Sequence, residues 1–317
     1  MSVSLRDRYL GAMLGLAAGD ALGTTLEFTA PSPVPPLTDM VGGGPFGLEP
    51  GQWTDDTSMA LCLAESLVTT GGFDAADQMR RYLRWRDEGH WSSTGRCFDI
   101  GNTVSAALRR FERTGDPFAG DTHHRAGGNG SLMRLAPVPL AFGHSSDAAL
   151  HWAGEMSRTT HAAPEPVDAC RYYAGLIVGA LEGQTKDDLL DHGLRLVQAA
   201  RRQEPLAPAI ETIVNGSFKE RHPPDIRGTG YVVHALEAAL WAFWHSEDFA
   251  TGALAAVNLG EDADTTGAIY GQLAGAYYGV EAIPVHWRSQ LAMADRITAL
   301  TEQLLALRLA MSDEEGT

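Results

Sequence analysis

Residues 11–23 read Gly-Ala-Met-Leu-Gly-Leu-Ala-Ala-Gly-Asp-Ala-Leu-Gly, with a glycine at every fourth position. The same spacing returns near the other end of the chain, at Gly267, Gly271, Gly275 and Gly279. Such spacing puts the glycines on one face of a helix, where each costs about 0.5–1 kcal/mol relative to alanine. We therefore predict two buried helices, at least one of which packs its glycine stripe closely against another helix. The alternative is compositional drift toward Ala and Gly.

Helical spacing also dominates the rest of the chain. Met59, Leu63 and Leu67 recur every four residues, which predicts a buried helix face. Segments that start at Asp74 and Ser145 carry N-cap signals. Alternating strand patterns are missing.

No linker or shift in composition divides the chain. We therefore predict an all-α fold, a single compact multi-helix domain over residues 1–311 followed by a disordered acidic tail at residues 312–317.

The composition argues against several classes of protein. The chain has 317 residues, of which 44% are apolar, and a formal net charge of -16. A strongly acidic surface disfavours nucleic acid and anionic membranes as partners, and no apolar run reaches the roughly 18 residues of a membrane span. Scattered cysteines are typical of reduced thiols and favour a cytoplasmic protein. They are Cys62, Cys97 and Cys170.

Two short acidic clusters stand just ahead of helix-like segments. They are Thr54-Asp55-Asp56-Thr57 and Asp262-Ala263-Asp264-Thr265-Thr266. Helix capping is one interpretation, but a cap needs only one such residue. Ligand sets made only of oxygen suit hard cations such as Mg²⁺, Mn²⁺ or Ca²⁺. If folding brings the clusters together, they would build a metal site that can hold two ions.

Asp99 stands between Phe98 and Ile100. If these neighbours form an apolar wall that excludes water, the pKa of the Asp99 carboxyl group would be raised, and the group could transfer a proton. Because helix-like sequence follows, Asp99 could equally be another N-cap.

A glycine loop, Gly127-Gly128-Asn129-Gly130-Ser131, precedes another helix-like run. Backbone N–H groups at such a start can cradle a phosphate, and a plain turn is the alternative. The chain has two long loops, residues 24–53 and 114–130, and this glycine run stands at the end of the second. Long loops more often line a site than fill space. His161 is the histidine best suited to a site, and Tyr231 could stack on a base or pack in the core.

These motifs resemble the ADP-ribosylglycohydrolase family, most closely its dinitrogenase-reductase-activating glycohydrolase branch. The matching runs keep the family order across roughly residues 8–280. They are Gly11 to Gly15, Gly19 to Gly23 with Glu27, Trp53 to Thr57, Phe98 to Asn102, Gly128 to Arg134, and Gly260 to Ala268. Together the runs are highly specific, although each alone is not.

The resemblance implies an all-α fold that holds two Mg²⁺ or Mn²⁺ ions. The metal ligands would be Thr54, Asp55, Asp56, Asp262, Asp264 and Thr265. Asp99 matches the catalytic acid of the closest branch, and it would act together with the metal ligands Asp55 and Asp264. The substrate would be bound by Glu27, Gly101, Asn102, Gly128, Asn129, Gly130, Ser131, His161 and, against adenine, Tyr231.

The implied activity is metal-dependent removal of ADP-ribose from modified proteins, with the N-glycosidic bond to arginine as the expected target. One alternative is hydrolysis of another linkage, serine O-linked or in a small-molecule conjugate. Others are a non-catalytic member that binds ADP-ribose or serves a structural role, and an unrelated helical metal-binding protein. Non-catalytic relatives typically lose ligand residues, whereas both clusters are whole here. The expected partners are an ADP-ribosylated protein and ADP-ribose, and the expected oligomeric state is a monomer.

Overall fold

The computed structural model is built from helices, and the all-α prediction is confirmed. It describes residues 3–31, 35–189, 193, 195 and 205–315. In this part of the chain the only extended pairings are isolated β-bridges between loop residues. The α-helices are α1 (Leu5–Gly23), α2 (Asp55–Thr70), α3 (Ala75–Glu88), α4 (Asn102–Thr114), α5 (Pro137–Phe142), α6 (Ser146–Arg158), α7 (Pro164–Leu181), α8 (Pro208–Val214), α9 (Ser217–Glu220), α10 (Val232–Trp244), α11 (Phe249–Val257), α12 (Ala263–Tyr278), α13 (Val285–Gln290) and α14 (Ala294–Glu315).

Helices α1 and α12 cross at the centre of the fold, glycine stripe against glycine stripe. A Cβ atom on Gly11 would lie 2.1 Å from the carbonyl oxygen of Gly275, and one on Gly19 would lie 2.0 Å from that of Gly267. No side chain fits between backbones at this distance, and both helices are buried. The predicted close crossing is confirmed, and compositional drift does not explain the stripes, because they meet each other.

The antiparallel register of this crossing puts the end of α1 beside the start of α12. A Cβ atom on Gly23 would lie 2.3 Å from the carbonyl oxygen of Ala263. The start of α2 meets the same place, where the Thr54 hydroxyl lies 2.8 Å from Asp20 Oδ1 and 3.3 Å from Asp264 Oδ2. The two acidic clusters therefore converge because helix packing brings their helix starts together.

The helix starts at α3 and α6 follow the predicted signals, since Asp74 and Ser145 cap them through their side chains. Helix α14 continues to Glu315, so the segment predicted as a disordered tail, residues 312–317, is helical as far as that residue. Nothing in residues 312–315 breaks a helix as Gly or Pro would; residues 316 and 317 lie outside the described ones. Among the helices described, none combines the length and the apolar character that a membrane span requires.

We expect Gly275→Ala to lower the stability of the protein, although alanine is the better helix former. The new Cβ atom would lie 1.9 Å from the carbonyl oxygen of Gly11, and overpacking of this kind costs about 1–3 kcal/mol or more. Thermal denaturation should show a lower Tm. The matched control is Gly72→Ala, where the Cβ atom would meet only Met311 Cε at 3.9 Å. Equal Tm values for both variants would contradict the close crossing.

Candidate metal centre and substrate cleft

The side chains of the two acidic clusters do not cap their own helices. Thr54 and Asp262 occupy the N-cap positions of α2 and α12, yet neither side chain accepts a capping hydrogen bond. Asp20 of α1 caps α2 instead. Its Oδ1 accepts from the backbone N–H and hydroxyl of Thr54 at 2.9 and 2.8 Å, and its Oδ2 accepts from the same groups of Thr57 at 3.0 and 2.6 Å. The capping interpretation of the clusters is therefore wrong.

Three buried carboxyl groups, those of Asp20, Asp56 and Asp264, have oxygen atoms within 4.8 Å of one another. The four hydrogen bonds to Asp20 occupy both of its oxygens, two donors on each. A carboxylate accepts about four such bonds in all. Asp20 is therefore a support for the start of α2, and Asp56 and Asp264 are the members of this group with oxygens left for a cation.

The Thr54 hydroxyl has one hydrogen but three carboxylate neighbours. It lies 2.8 Å from Asp20 Oδ1, 3.0 Å from Asp56 Oδ2 and 3.3 Å from Asp264 Oδ2. When its hydrogen points to Asp20, its lone pairs face two carboxylate oxygens with no hydrogen between them. A cation among these oxygens would relieve that repulsion, so the donor set fits a hard divalent metal ion.

A second group joins Glu27 and Asp99 to the same Asp264, again with oxygens within 4.8 Å of one another. Glu27 Oε2 and Asp56 Oδ1 are buried and have no hydrogen-bond partner. A buried polar atom without a hydrogen-bond partner lowers the stability of the folded state. Two such carboxylate oxygens beside other carboxylates lower it further, because the negative charges repel one another. The buried carboxyl groups could therefore hold a metal, with Asp264 common to both groups.

Burial raises the pKa of every carboxyl group in the centre, and repulsion by the other carboxylates adds to it for most of them. Burial, followed by the charges of Asp99 and Asp262, raises the pKa of Glu27 to about 9. Burial, followed by the charges of Asp262 and Asp20, raises the pKa of Asp99 to about 7. Burial is also the largest cause of the raised pKa values of Asp55 and Asp264. A cation would oppose these shifts, because it favours the ionised forms.

The remaining candidate ligands border the open cleft above this centre. Asp55 is 7% and Thr265 5% exposed, and Asp262 Oδ2 accepts a hydrogen bond from Asn129 Nδ2 at 2.7 Å. The predicted convergence of residues 54–56 with residues 262–265 is present. Their individual roles as metal ligands stay a prediction.

Asp99 is not an N-cap, because α4 begins at Asn102 and its N-cap is Gly101. Its φ of 60° lies in the left-handed region, which few residues other than glycine adopt. Phe28 and Glu261, which also border the cleft, share this conformation with φ values of 59° and 56°. Strained backbone of this kind clusters at functional sites.

A cleft of about 700 Å³ opens over the carboxyl groups. This volume is typical of small-molecule sites. Both long loops contribute to its wall, as predicted. The predicted site residues that line it are Glu27, Asp55, Asp99, Gly101, Asn102, Gly128, Asn129, Gly130, His161, Asp262 and Thr265.

The glycine loop packs directly on the His161 ring. A Cβ atom on Gly130 would lie 2.9 Å from His161 Cε1, and one on Gly128 would lie 3.2 Å from His161 Nε2. Only glycine allows the loop this close to the imidazole. The expected helix does not follow directly, because residues 130–134 form turns before α5.

Two predicted substrate residues lie outside the cleft wall. Ser131 is fully buried, and its hydroxyl is 2.8 Å from that of Ser157, so its side chain belongs to the core. Tyr231 pairs with Gly128 through a backbone bridge and packs against His234. Its ring packs against the glycine loop at Gly127 and is not among the residues that line the cleft.

His161 is held as a neutral imidazole. Burial, and then the charge of Arg134, lowers its pKa to about 3. Arg134 Nη2 donates to the Thr160 hydroxyl at 2.6 Å, and that oxygen lies 2.9 Å from His161 Nδ1. Since a guanidinium only donates, the Thr160 hydrogen is left for Nδ1. This network favours the tautomer with its proton on Nε2, beside the glycine loop.

Sequence reasoning missed the contributions of Asp20 and Arg134. Both are fully buried, and charged side chains are almost never so without partners. A lone Asp in the most apolar stretch of α1 was the available signal for Asp20. Arg134, which also donates to the Gly130 carbonyl at 2.8 Å, had no signal beyond its position at the end of a motif.

The sequence profile of the ADP-ribosylglycohydrolase family matches residues 1–314 of this chain. The chain belongs to this family. A solved structure described as an ADP-ribosylglycohydrolase-related protein complex superposes with a TM-score of 0.84 at 46% identity and covers 96% of this chain and 99% of its own. The recognition made from the motifs is confirmed.

Three curated relatives match nearly the whole length of this chain. An ADP-ribosylarginine hydrolase Tri1 of Pseudomonas putida is 44% identical over 94% of this chain and 78% of its own length. A Tri1 of Serratia proteamaculans is 41% identical over 94% of this chain and 79% of its own. The ADP-ribosyl-(dinitrogen reductase) glycohydrolase of Rhodospirillum rubrum is 35% identical over 96% and 97%.

Proposed function

We propose that this ADP-ribosylglycohydrolase hydrolyses the N-glycosidic bond between ADP-ribose and an arginine side chain of a modified protein. The observation that carries the proposal is the carboxyl group of Asp99, which borders the cleft and lies within 4.8 Å of Glu27 and Asp264. Guanidinium is the side-chain cation that pairs bidentately with a carboxylate. The names of the relatives at 41% and 44% identity support the same linkage.

Two divalent cations, Mg²⁺ or Mn²⁺, are the proposed cofactors. When bound, such ions polarise oxygen ligands and acidify water. The donor set supports them, because it contains only oxygen and leaves buried oxygens of Asp56 and Glu27 without partners. The residues that would hold them are Thr54, Asp55, Asp56, Asp262, Asp264 and Thr265.

Asp99 is the proposed acid–base group. Cleavage breaks the bond from the ribose anomeric carbon to the guanidine nitrogen through an oxocarbenium-like state. The oxygen of water then bonds to that carbon and the water releases a proton, while the departing guanidine nitrogen takes up a proton, so that the net reaction adds OH to the ribose and H to the arginine side chain. A carboxyl group against the guanidinium can first orient it and then manage this proton.

The glycine loop and His161 would hold the rest of ADP-ribose. Gly128 and Gly130 leave backbone exposed in the cleft wall, and backbone N–H groups bind phosphate oxygens well. The neutral imidazole of His161 offers an Nε2 hydrogen at the same place. Because its pKa is lowered to about 3, this donor does not change its charge between pH 5 and 8.

A substrate panel tests the linkage. Peptides that carry ADP-ribose on arginine, serine or aspartate are incubated with the protein in Mg²⁺ or Mn²⁺ and, separately, in chelator. We expect release of ADP-ribose from the arginine peptide alone, and only with metal present. Release from the serine or aspartate peptide instead would overturn the arginine assignment. Equal release in chelator would overturn the metal requirement.

A further inference from the structure

Phe28 exposes an aromatic ring at the mouth of the cleft. Its side chain is 71% exposed and its φ of 59° is left-handed, a conformation that is rare for a bulky residue. Two backbone hydrogen bonds to the loop before α12 impose it. Phe28 N donates to Glu261 O at 2.7 Å, and Glu261 N donates to Thr29 O at 2.9 Å. The fold thus holds an apolar ring in solvent at a cost in backbone strain.

The ring continues into a row that we call the aromatic rim, made of Phe28, Phe46 and Phe98. The ring centres of Phe28 and Phe46 are 6.4 Å apart, and those of Phe46 and Phe98 are 5.2 Å apart. Phe28 follows Glu27 directly, and Phe98 directly precedes Asp99. The rim therefore runs from the cleft wall at Phe28 along the two chain segments that carry the carboxyl groups expected to meet the scissile bond.

The rim and the glycine loop adjoin different parts of the carboxyl centre. On the loop side, Asn129 donates to Asp262 at 2.7 Å. On the rim side, Glu27 and Asp99 come within 4.8 Å of Asp264. A substrate with ADP-ribose on the loop and its scissile bond at the carboxyl groups would extend the leaving group toward the rim. This step rests on the proposed function.

We propose that the aromatic rim docks the polypeptide on either side of the modified arginine and favours apolar residues next to it. Exposed aromatic surface gains most from being covered, and aromatic residues are typical anchors of interfaces. The acidic centre and the net charge of -16 suit a segment that presents arginine. The rim would therefore select among modified proteins without contacting ADP-ribose.

Three probes test the rim: ADP-ribosylarginine, and two peptides whose single ADP-ribosylarginine is flanked by leucines or by serines. For the unaltered protein, we expect kcat/KM to favour the leucine peptide by roughly tenfold, as partial burial of one apolar side chain predicts. Phe28→Ala should lower kcat/KM for the leucine peptide more than for the serine peptide or for ADP-ribosylarginine, and so remove this preference. Phe46→Ala should act in the same direction, and because it lies outside the Glu27 segment, it separates docking from movement of Glu27.

The matched control is Phe118→Ala, which removes another exposed phenylalanine, 44% exposed, and should keep the leucine preference. The rim proposal would be overturned if the unaltered protein had equal kcat/KM values for both peptides. It would also be overturned if Phe28→Ala lowered kcat/KM for ADP-ribosylarginine as much as for the leucine peptide. If no probe is hydrolysed, the proposed function fails, and the same comparison is made on dissociation constants with Mn²⁺ present. A leucine preference that Phe28→Ala removes then supports the rim, and its absence overturns it.

Discussion

Asp264→Ala is expected to abolish metal binding and, with it, hydrolysis. Asp264 is common to both groups of converging carboxyl oxygens, so its replacement by alanine removes a candidate ligand from both groups. Loss of residues that merely support a ligand lowers metal affinity 10- to 100-fold. Loss of a shared ligand should therefore weaken Mn²⁺ affinity by at least about a hundredfold. Isothermal titration with Mn²⁺ measures this directly.

Thermal denaturation supplies a second measurement that needs no activity. Metal at a hundred times its Kd stabilises a protein by about 2.7 kcal/mol, so Mn²⁺ should raise the Tm of the unaltered protein but not that of Asp264→Ala. In chelator the variant also loses mutual repulsion among buried carboxylates, which helps it to fold. Asp147→Ala, at an exposed position on α6, is the matched control. Undiminished Mn²⁺ binding by Asp264→Ala would refute the ligand assignment.

Asp99→Asn is expected to cut turnover by roughly a hundredfold or more, because general acid–base groups contribute 10²–10⁴-fold. The amide keeps the shape of the side chain and can still accept a hydrogen bond, but it cannot take up the proton. Asparagine also tolerates the left-handed φ of 60° at this position, so the fold should be preserved. Single-turnover hydrolysis of ADP-ribosylarginine peptide measures the effect.

Mn²⁺ affinity separates the role of Asp99 from that of the ligands. Asp99→Asn should bind Mn²⁺ within a few-fold of the unaltered protein, whereas Asp264→Ala should not. Turnover by Asp99→Asn equal to that of the unaltered protein would show that Asp99 takes no part in the reaction. A loss of Mn²⁺ binding as large as that of Asp264→Ala would instead make Asp99 part of the metal centre.

Much of the candidate site could be predicted because its signals are local. Each acidic cluster and the Asp99 run is a few adjacent residues, and residues that are adjacent in sequence stay together in any fold. Ser131 and Tyr231 show the limit of this reasoning. Both lie in or beside motifs singled out from the sequence, yet the side chain of Ser131 lies in the core and that of Tyr231 packs against Gly127 outside the cleft wall. Which way a side chain points depends on its surroundings.

The Asp99 and Thr54 positions show a second limit. Both were compatible with helix capping, and only the structure shows that Gly101 is the N-cap of α4 and that Asp20 caps α2. Asp20 lies 34 residues before Thr54 in the chain. Because the capping residue is so far away in the chain, the sequence around Thr54 does not reveal that another helix caps α2.

The amino-acid sequence by itself determined the helical character of this protein, the presence of its glycine stripes and the oxygen ligands at two helix starts. These follow from periodicity and backbone preference, which act over a few residues. The tertiary structure alone decided that the two stripes face each other, antiparallel and in one register. That register brings Asp20, Thr54 and Asp264 into contact, because packing of backbone on backbone, and not spacing along the chain, sets which distant residues meet.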